Sequence, residues 1–471
     1  MTYEELLGSA SAWARRLTEA AVPPGARVAI RLADPVDYAA ALLGVLAAGR
    51  VAVPLDPAAP DAELARVLGV AQPKAVICES TAGLPPGPAV VLPPAGLDRA
   101  PGSPGSLAAT PATGGIFLCT SGTTGTPKGI ELREDQLAHV AEAVARQHRL
   151  TPDDRGYCCL PLFHVNAEVV GLLATLSAGA CLVLDRAFSR RRFWPIIEER
   201  RITWINAVPA IIALLAMEPG QTRPPQRVRF VRSASAPLPP AVLMRFEQLT
   251  GLPVIETYGM TEAASMITAN PLDGPRKPGS VGQPAGTEVR IVRYTLSEPV
   301  PCADYVVGQV QIRGPGVITQ YATGGRPGVI DRDGWLDTGD LGHLDEDGYL
   351  YLAGRTDDVI NRGGEKIYPR EIEEVLLAQP GVLSAVVVGA EDEVLGQRPV
   401  AYVVPSDAAS SDVAFEHGTF QDALLAACAA ALPKPKRPSP IVLVSELPLG
   451  PTGKVARRRL RELAAASGPA A

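Results

Sequence analysis

Ten consecutive residues of this 471-residue chain carry four threonines, one serine, three glycines and one lysine: Thr120, Ser121, Gly122, Thr123, Thr124, Gly125, Thr126, Pro127, Lys128 and Gly129. Small residues let backbone N–H groups approach phosphate oxygens, hydroxyls add donors, and one ammonium supplies a point charge. The stretch is not a Walker P-loop, which needs Ser or Thr directly after its Lys; Gly129 stands there. Polar surface turns use the same residue types, though not at this density. The composition implies a nucleotide held through its phosphates, with ATP the expected one. An apolar run at 115–119 precedes the segment and a helical pattern at 133–149 follows it. The expected frame is therefore strand, loop, helix.

Lysine usage sharpens the search. Of 44 basic residues, 37 are Arg and seven are Lys: Lys74, Lys128, Lys277, Lys366, Lys434, Lys436 and Lys454. Where Arg is so strongly preferred, a retained Lys suggests a need for a compact ammonium. Lys128, Lys366 and Lys454 all lie in Gly-rich contexts.

The elements around these residues alternate. The pattern predicts a helix over 3–21, a strand at 27–32, a helix capped by Asp34 running to about Ala48, and a strand at 51–54. Further apolar strands are expected at 75–78, 115–119, 181–185, 202–206 and 228–233, most with a helix after. Such alternation implies parallel sheets covered on both faces. Residues 93–114 read as a surface linker and 407–412 as a loop. From about Ser280 to Leu352 short strands and turns predict a β-rich subdomain. An α+β unit follows, with a helix at 369–378 and a strand at 385–389.

Composition bounds the rest. Apolar residues make up 46% and charged residues 20%, a globular balance at a length that calls for two or more domains. A formal charge of −6 argues against a duplex-binding surface. No apolar run reaches membrane-spanning length and no leader pattern follows Met1. Seven cysteines without metal spacing suggest idle thiols in a reducing compartment. A cytoplasmic protein without nucleic-acid or membrane partners is expected.

Further segments follow in order: Pro161–His164, Ser233–Pro237, Glu256–Glu262, Thr338–Asp340, Gly354–Arg355, Asn361–Lys366 and Pro451–Lys454. Together with the Thr- and Gly-rich loop, they resemble the adenylate-forming superfamily of acyl- and aryl-CoA ligases, luciferase and adenylation domains, over nearly the whole chain. The resemblance implies an α/β fold: a large N-terminal domain of parallel-rich sheets flanked by helices with a β-rich subdomain (1–354), and a small mobile α+β C-terminal domain (355–471). It also implies ATP, Mg2+ and CoA, with a carboxylate attacking the α-phosphorus to give an acyl-adenylate. That attack joins anion to anion, so donors and a metal must neutralise developing charge.

By the same resemblance, Thr261 contacts phosphate and Glu262 holds magnesium. Tyr258 and Gly259 border the adenine, with Ser235, Ala236 and Pro237 on its other side, while Asp340 and Arg355 hold the ribose. Lys454 bridges carboxylate and α-phosphate during adenylation. Asp357 is the hinge, Gly363, Gly364 and Lys366 line the CoA tunnel, and Lys434, Lys436 and Arg437 could meet CoA phosphates. A carrier protein could use the same tunnel in place of CoA, and a non-thiol acceptor is a further alternative.

The acyl pocket is implied near His164, Asn206, Val208 and Ser233. No Asp near His164 is available to grip an α-amino group, which argues against an amino-acid substrate. Glu168 could contact a substrate amino or hydroxyl group, but a solvent-facing carboxylate is the expectation. Three departures from the family pattern stand out: a missing opening segment, an altered stretch at 319–328, and Asn166 where many relatives have Gly.

Overall fold

The computed structural model describes residues 1–84, 90–94, 114–121, 127–217, 225–295, 298–325, 327–406, 417–449 and 455–466. Local signals behave as their chemistry dictates. Thr2 accepts from the Glu5 N–H and the Glu5 carboxylate accepts from the Thr2 N–H, closing a capping box on the helix Tyr3–Glu19. Asp34 accepts from Val36 and Asp37 at the start of Pro35–Ala47.

Four sheets carry the molecule. The first runs in the order Val90–Leu92, Ala75–Cys78, Arg27–Arg31, Val51–Pro54, Gly115–Ser121, Pro127–Arg133. Its first five strands are parallel and the sixth is antiparallel. In the second, Val254–Met260, Phe230–Ser233, Trp204–Ala207, Arg155–Cys158 and Cys181–Leu184 are parallel. Ser265–Ala269 and Gln283–Pro284 extend it antiparallel. A five-stranded antiparallel sheet between Glu288 and Arg355 forms the expected β-rich part. The fourth sheet spans Ile360–Leu443 and includes Val382–Asp392 and Gly396–Pro405.

Cores follow the sheets. One large apolar cluster joins the first sheet, the helix Glu134–Gln147, the segment 166–174 and the β-rich part. The fourth sheet packs against the helices Pro369–Leu377, His417–Ala431 and Arg457–Ala466 through two clusters drawn wholly from residues 360–464. No described helix is long and apolar enough to cross a membrane.

Two expectations need correction. The Thr- and Gly-rich segment does not run from strand to helix. Gly115–Ser121 and Pro127–Arg133 pair as an antiparallel hairpin, Thr120 opposite Lys128, and the helix begins one strand later at Glu134. The reason is alternation: Ile130 and Leu132 are fully buried, a period-two pattern that a turn reading of Pro127–Gly129 hides. Glu168 does not face solvent: it is 0% exposed and accepts a 2.7 Å hydrogen bond from the Tyr38 hydroxyl. It lies in a π-helical run, Asn166–Leu173, whose wider turn redistributes side chains around the axis. The linker at 95–113 and the loop at 407–412 lie outside the described residues.

Candidate active site

Strand ends of the second sheet and one edge of the β-rich sheet converge on Tyr258. Its hydroxyl donates to Asp340 Oδ2 at 2.5 Å, and Arg355 Nη1 donates to Asp340 Oδ1 at 3.1 Å. Asp340 and Arg355 are partners across antiparallel strands, so backbone register sets their approach. The Thr338 hydroxyl accepts from the Asp340 N–H at 3.1 Å, and Arg355 Nη2 donates to the Thr338 carbonyl at 3.3 Å. Burial, then the Asp340 charge, hold the Tyr258 phenol protonated, well above its ordinary range. A carboxylate flanked by a phenol and a guanidinium is an acceptor suited to paired sugar hydroxyls.

Glu262 stands on the short turn Thr261–Ala263 directly after the Val254–Met260 strand. It is 9% exposed, and its Oε1 accepts from the Tyr321 hydroxyl at 3.0 Å. The Tyr321 ring lies 5.3 Å from the Lys128 ammonium. Backbone ties fix this arrangement: Ile318 N–H donates to the Glu262 carbonyl, Gly129 N–H to the Thr323 carbonyl, and Ala322 N–H to the Gly129 carbonyl. The hairpin bearing Lys128 and the turn bearing Glu262 are thus bolted to one segment, 318–323. One accessible carboxylate suits magnesium, which keeps its waters and takes phosphate oxygens. Among the described residues no group of three His, Cys, Asp or Glu forms a cage for another metal.

Gly259 explains why the motif has no side chain there. A Cβ would lie 1.4 Å from the Ser265 carbonyl oxygen, so the two strands meet where no methyl fits. The neighbouring Ala264 and Ser265, and Ser235 across the site, all hold positive φ at 49°, 104° and 74°. Left-handed backbone outside glycine is costly and concentrates at ligand sites.

The side where the acyl pocket is expected is built differently. His164 is half-buried, its ring 4.6 Å from that of Phe163, and its carbonyl accepts the N–H groups of Ala167 and Glu168. Asn206 and Ser233 are fully buried, with Val208 half-buried at the start of Pro209–Ala216. Between them lies Arg232, 1% exposed, whose Nη1 donates to Asn166 Oδ1 at 2.7 Å and Asn206 Oδ1 at 3.0 Å. Asn166 Nδ2 donates to Ser235 Oγ at 3.2 Å. Ser235, Ala236 and Pro237 are exposed. Burial pushes the Glu168 carboxyl up to about 8 and the Glu256 carboxyl up to about 7.

Sequence reading missed Arg232 and Tyr321. A charge inside a strand expected to be buried on both faces was the available signal for Arg232. For Tyr321 the signal was an aromatic within the altered stretch. In the C-terminal part, Gly363 and Gly364 form a two-residue hairpin turn with φ of 57° and 89° between Arg362 and Glu365. Lys366 is exposed there. Asp357 is exposed on the turn Thr356–Asp358, where its carbonyl accepts from Arg461 while Arg457 and Arg461 pair with Asp358. Lys436 is paired with Glu371, and Arg437 donates to the Leu432 and Ala429 carbonyls. Gly122, Thr123, Thr124, Gly125 and Lys454 lie outside the described residues, as do the side chains of Thr120 and Ser121.

The chain has known relatives over nearly its whole length. The chain matches the AMP-binding enzyme family over residues 1–322 and the AMP-binding enzyme C-terminal domain over 371–454. Sulfoacetate–CoA ligase of Cupriavidus necator is 39% identical, over 98% of this chain and 92% of that protein. Oxalate–CoA ligase of Arabidopsis thaliana is 35% identical, over 94% and 89%. The crystal structure of ATP-bound MatB from Rhodopseudomonas palustris superposes with a TM-score of 0.87 at 30% identity, covering 98% of this chain and 93% of that one. The family match, the relatives' identities and the shared fold agree: the chain belongs to the AMP-binding enzyme family.

Proposed function

We propose that this protein is an ATP-dependent, AMP-forming carboxylate–CoA ligase working in two half-reactions. An acid attacks the α-phosphorus of ATP, releasing pyrophosphate and leaving an acyl-adenylate; the CoA thiol then attacks the acyl carbon and AMP departs. The convergence of Tyr258, Asp340, Arg355, Glu262 and Lys128 on one strand end carries this reading, and the CoA-ligase relatives at 39% and 35% identity support it.

In this reading Asp340 and Arg355 take the ribose, and Tyr258 and Gly259 border the base with Ser235, Ala236 and Pro237. Thr261 contacts phosphate, and Lys128 and its Thr- and Gly-rich loop hold the triphosphate. Glu262 would hold magnesium, which supplies charge neutralisation at the phosphates. Lys454 bridges the attacking carboxylate and the α-phosphate, stabilising charge that develops in the transition state. His164, Asn206, Val208 and Ser233 border the acyl group. Residues 1–354 and 355–471 act as two domains turning about Asp357, and the Gly363–Gly364 turn lets a pantetheine arm pass close to the backbone. Seven free cysteines support a cytoplasmic setting.

The test is pyrophosphate release with ATP, magnesium and a panel of carboxylic acids, with and without CoA. Acid-dependent release that rises with CoA, together with an acyl-CoA product, is expected. Release indifferent to CoA would point to a carrier protein or another acceptor, and no release with any acid would overturn the reading.

A further inference from the structure

Among the described residues, Arg232 is a buried cation without an anion. It is the last residue but one of the strand Phe230–Ser233, flanked by Trp204–Ala207 and Val254–Met260, near the carboxyl edge of parallel strands where α/β proteins bind ligands. Its Nη1 hydrogen bonds end on two neutral amides, Asn166 and Asn206, and its Nε has no partner. Among the described residues no carboxylate forms an ion pair with it. Buried guanidinium groups are ordinarily paired, because desolvation costs more than neutral dipoles return.

Two titratable neighbours, a histidine and a thiol, bring it no negative charge. Burial, then Arg232 and Arg229, hold the His148 imidazole neutral, well below its usual range. Burial pushes the Cys158 thiol up to about 11 and pulls Arg232 itself down to about 9. Asn166 links the guanidinium to Ser235, an exposed residue at positive φ that opens the segment read as bordering the nucleotide. The cation is one side chain away from that segment.

We infer that the acid this enzyme activates carries a second anionic group, and that Arg232, positioned by Asn166 and Asn206, is its counter-charge. The inference rests on the ligase reading above. It names a class, short acids with a carboxylate or sulfonate opposite the reacting carboxylate, and makes Arg232 the residue that selects it. The selection is physical: a monoanionic acid leaves the guanidinium desolvated and unmatched, whereas a dianionic one completes a charge-assisted pair.

Pyrophosphate release is measured for oxalate, malonate, succinate and sulfoacetate against acetate, propionate and butyrate, in the wild type and in Arg232→Met and Arg232→Lys. The wild type is expected to favour the dianionic group by about a hundredfold in kcat/KM, the scale of one buried charge pair. Arg232→Met should bring that ratio to within a few-fold of one, and Arg232→Lys should restore part of it. The carboxylate and sulfonate arms then show which anion fits. A wild type that prefers monoanionic acids overturns the inference, whether or not the variants fold. So does a folded Arg232→Met whose ratio is unchanged while all rates fall, which would make Arg232 a brace between the π-helical run and the sheet. Failure of the ligase reading looks different: no acid of either class releases pyrophosphate.

Discussion

The two ends of this site handle charge in opposite ways. At the end proposed for the nucleotide, Asp340 arrives already matched, with Arg355 on one oxygen and Tyr258 on the other. At the end proposed for the acyl group, Arg232 is more deeply buried and, among the described residues, is met by amides alone. A ribose is neutral, so a site for it can balance its own charges and exchange hydrogen bonds when the sugar enters. An anionic group brings charge with it, and a site for it is left short of that charge until it does.

Breaking the matched end should cost most. Asp340→Ala removes the acceptor and strands both partners, so kcat/KM for ATP is expected to fall by about a hundred- to a thousandfold. The fall should be the same for every acid, measured by pyrophosphate release. An acid-dependent fall would erase the distinction between the two ends.

Asn166→Ala tests the unmatched end. It removes one of two amides that aim Arg232, so about a tenfold loss is expected, confined to acids with a second anionic group. Paired assays on malonate and propionate read it. Tyr321→Phe returns to the nucleotide end: losing one hydrogen bond to Glu262 should raise KM for magnesium–ATP about three- to tenfold, with the preference among acids untouched.

The last effect falls on stability rather than on turnover, and it sharpens the picture of burial. Glu168 has a carboxyl raised from 4.5 to about 8, so between those values the folded chain keeps a proton that the unfolded chain has released. Its contribution is present in full below about 4.5 and is lost as pH rises through about 8. The slope is on the order of 1 kcal/mol per pH unit. Glu168→Gln should flatten that slope. Thermal melts from pH 5 to 8 on both proteins would show a stability difference that grows with pH in favour of the variant.

Much of the nucleotide end could be read from sequence because its residues sit in short motifs whose order survives any fold detail. Asp340 and Arg355 meet because adjacent strands place them in register, yet each was nameable alone. The acyl end resisted for a physical reason. Arg232 and Asn166 are 66 residues apart and acquire meaning only through contact. Glu168 was misjudged because a π-helical run does not keep the 3.6-residue period on which facing is read. The hairpin after Ser121 was missed because Pro127 and Gly129 look like turn residues, while the strand signal lay in Ile130 and Leu132. The alternating strands and helices, by contrast, were legible because burial on both faces demands apolar runs.

The close approach at Gly259 has a consequence for inheritance. Where a backbone oxygen occupies the place of a β-carbon, no side chain is a milder choice than another, so drift has no gentle first step. Met260, half-buried beside it and packed against the main core, meets side chains that can shift rather than a fixed backbone oxygen. Substitutions at 259 should therefore all fail alike, alanine no better than larger residues, whereas at Met260 the losses should be graded with the size and polarity of the replacement. The gene's freedom to wander is set there by the gap between two strands.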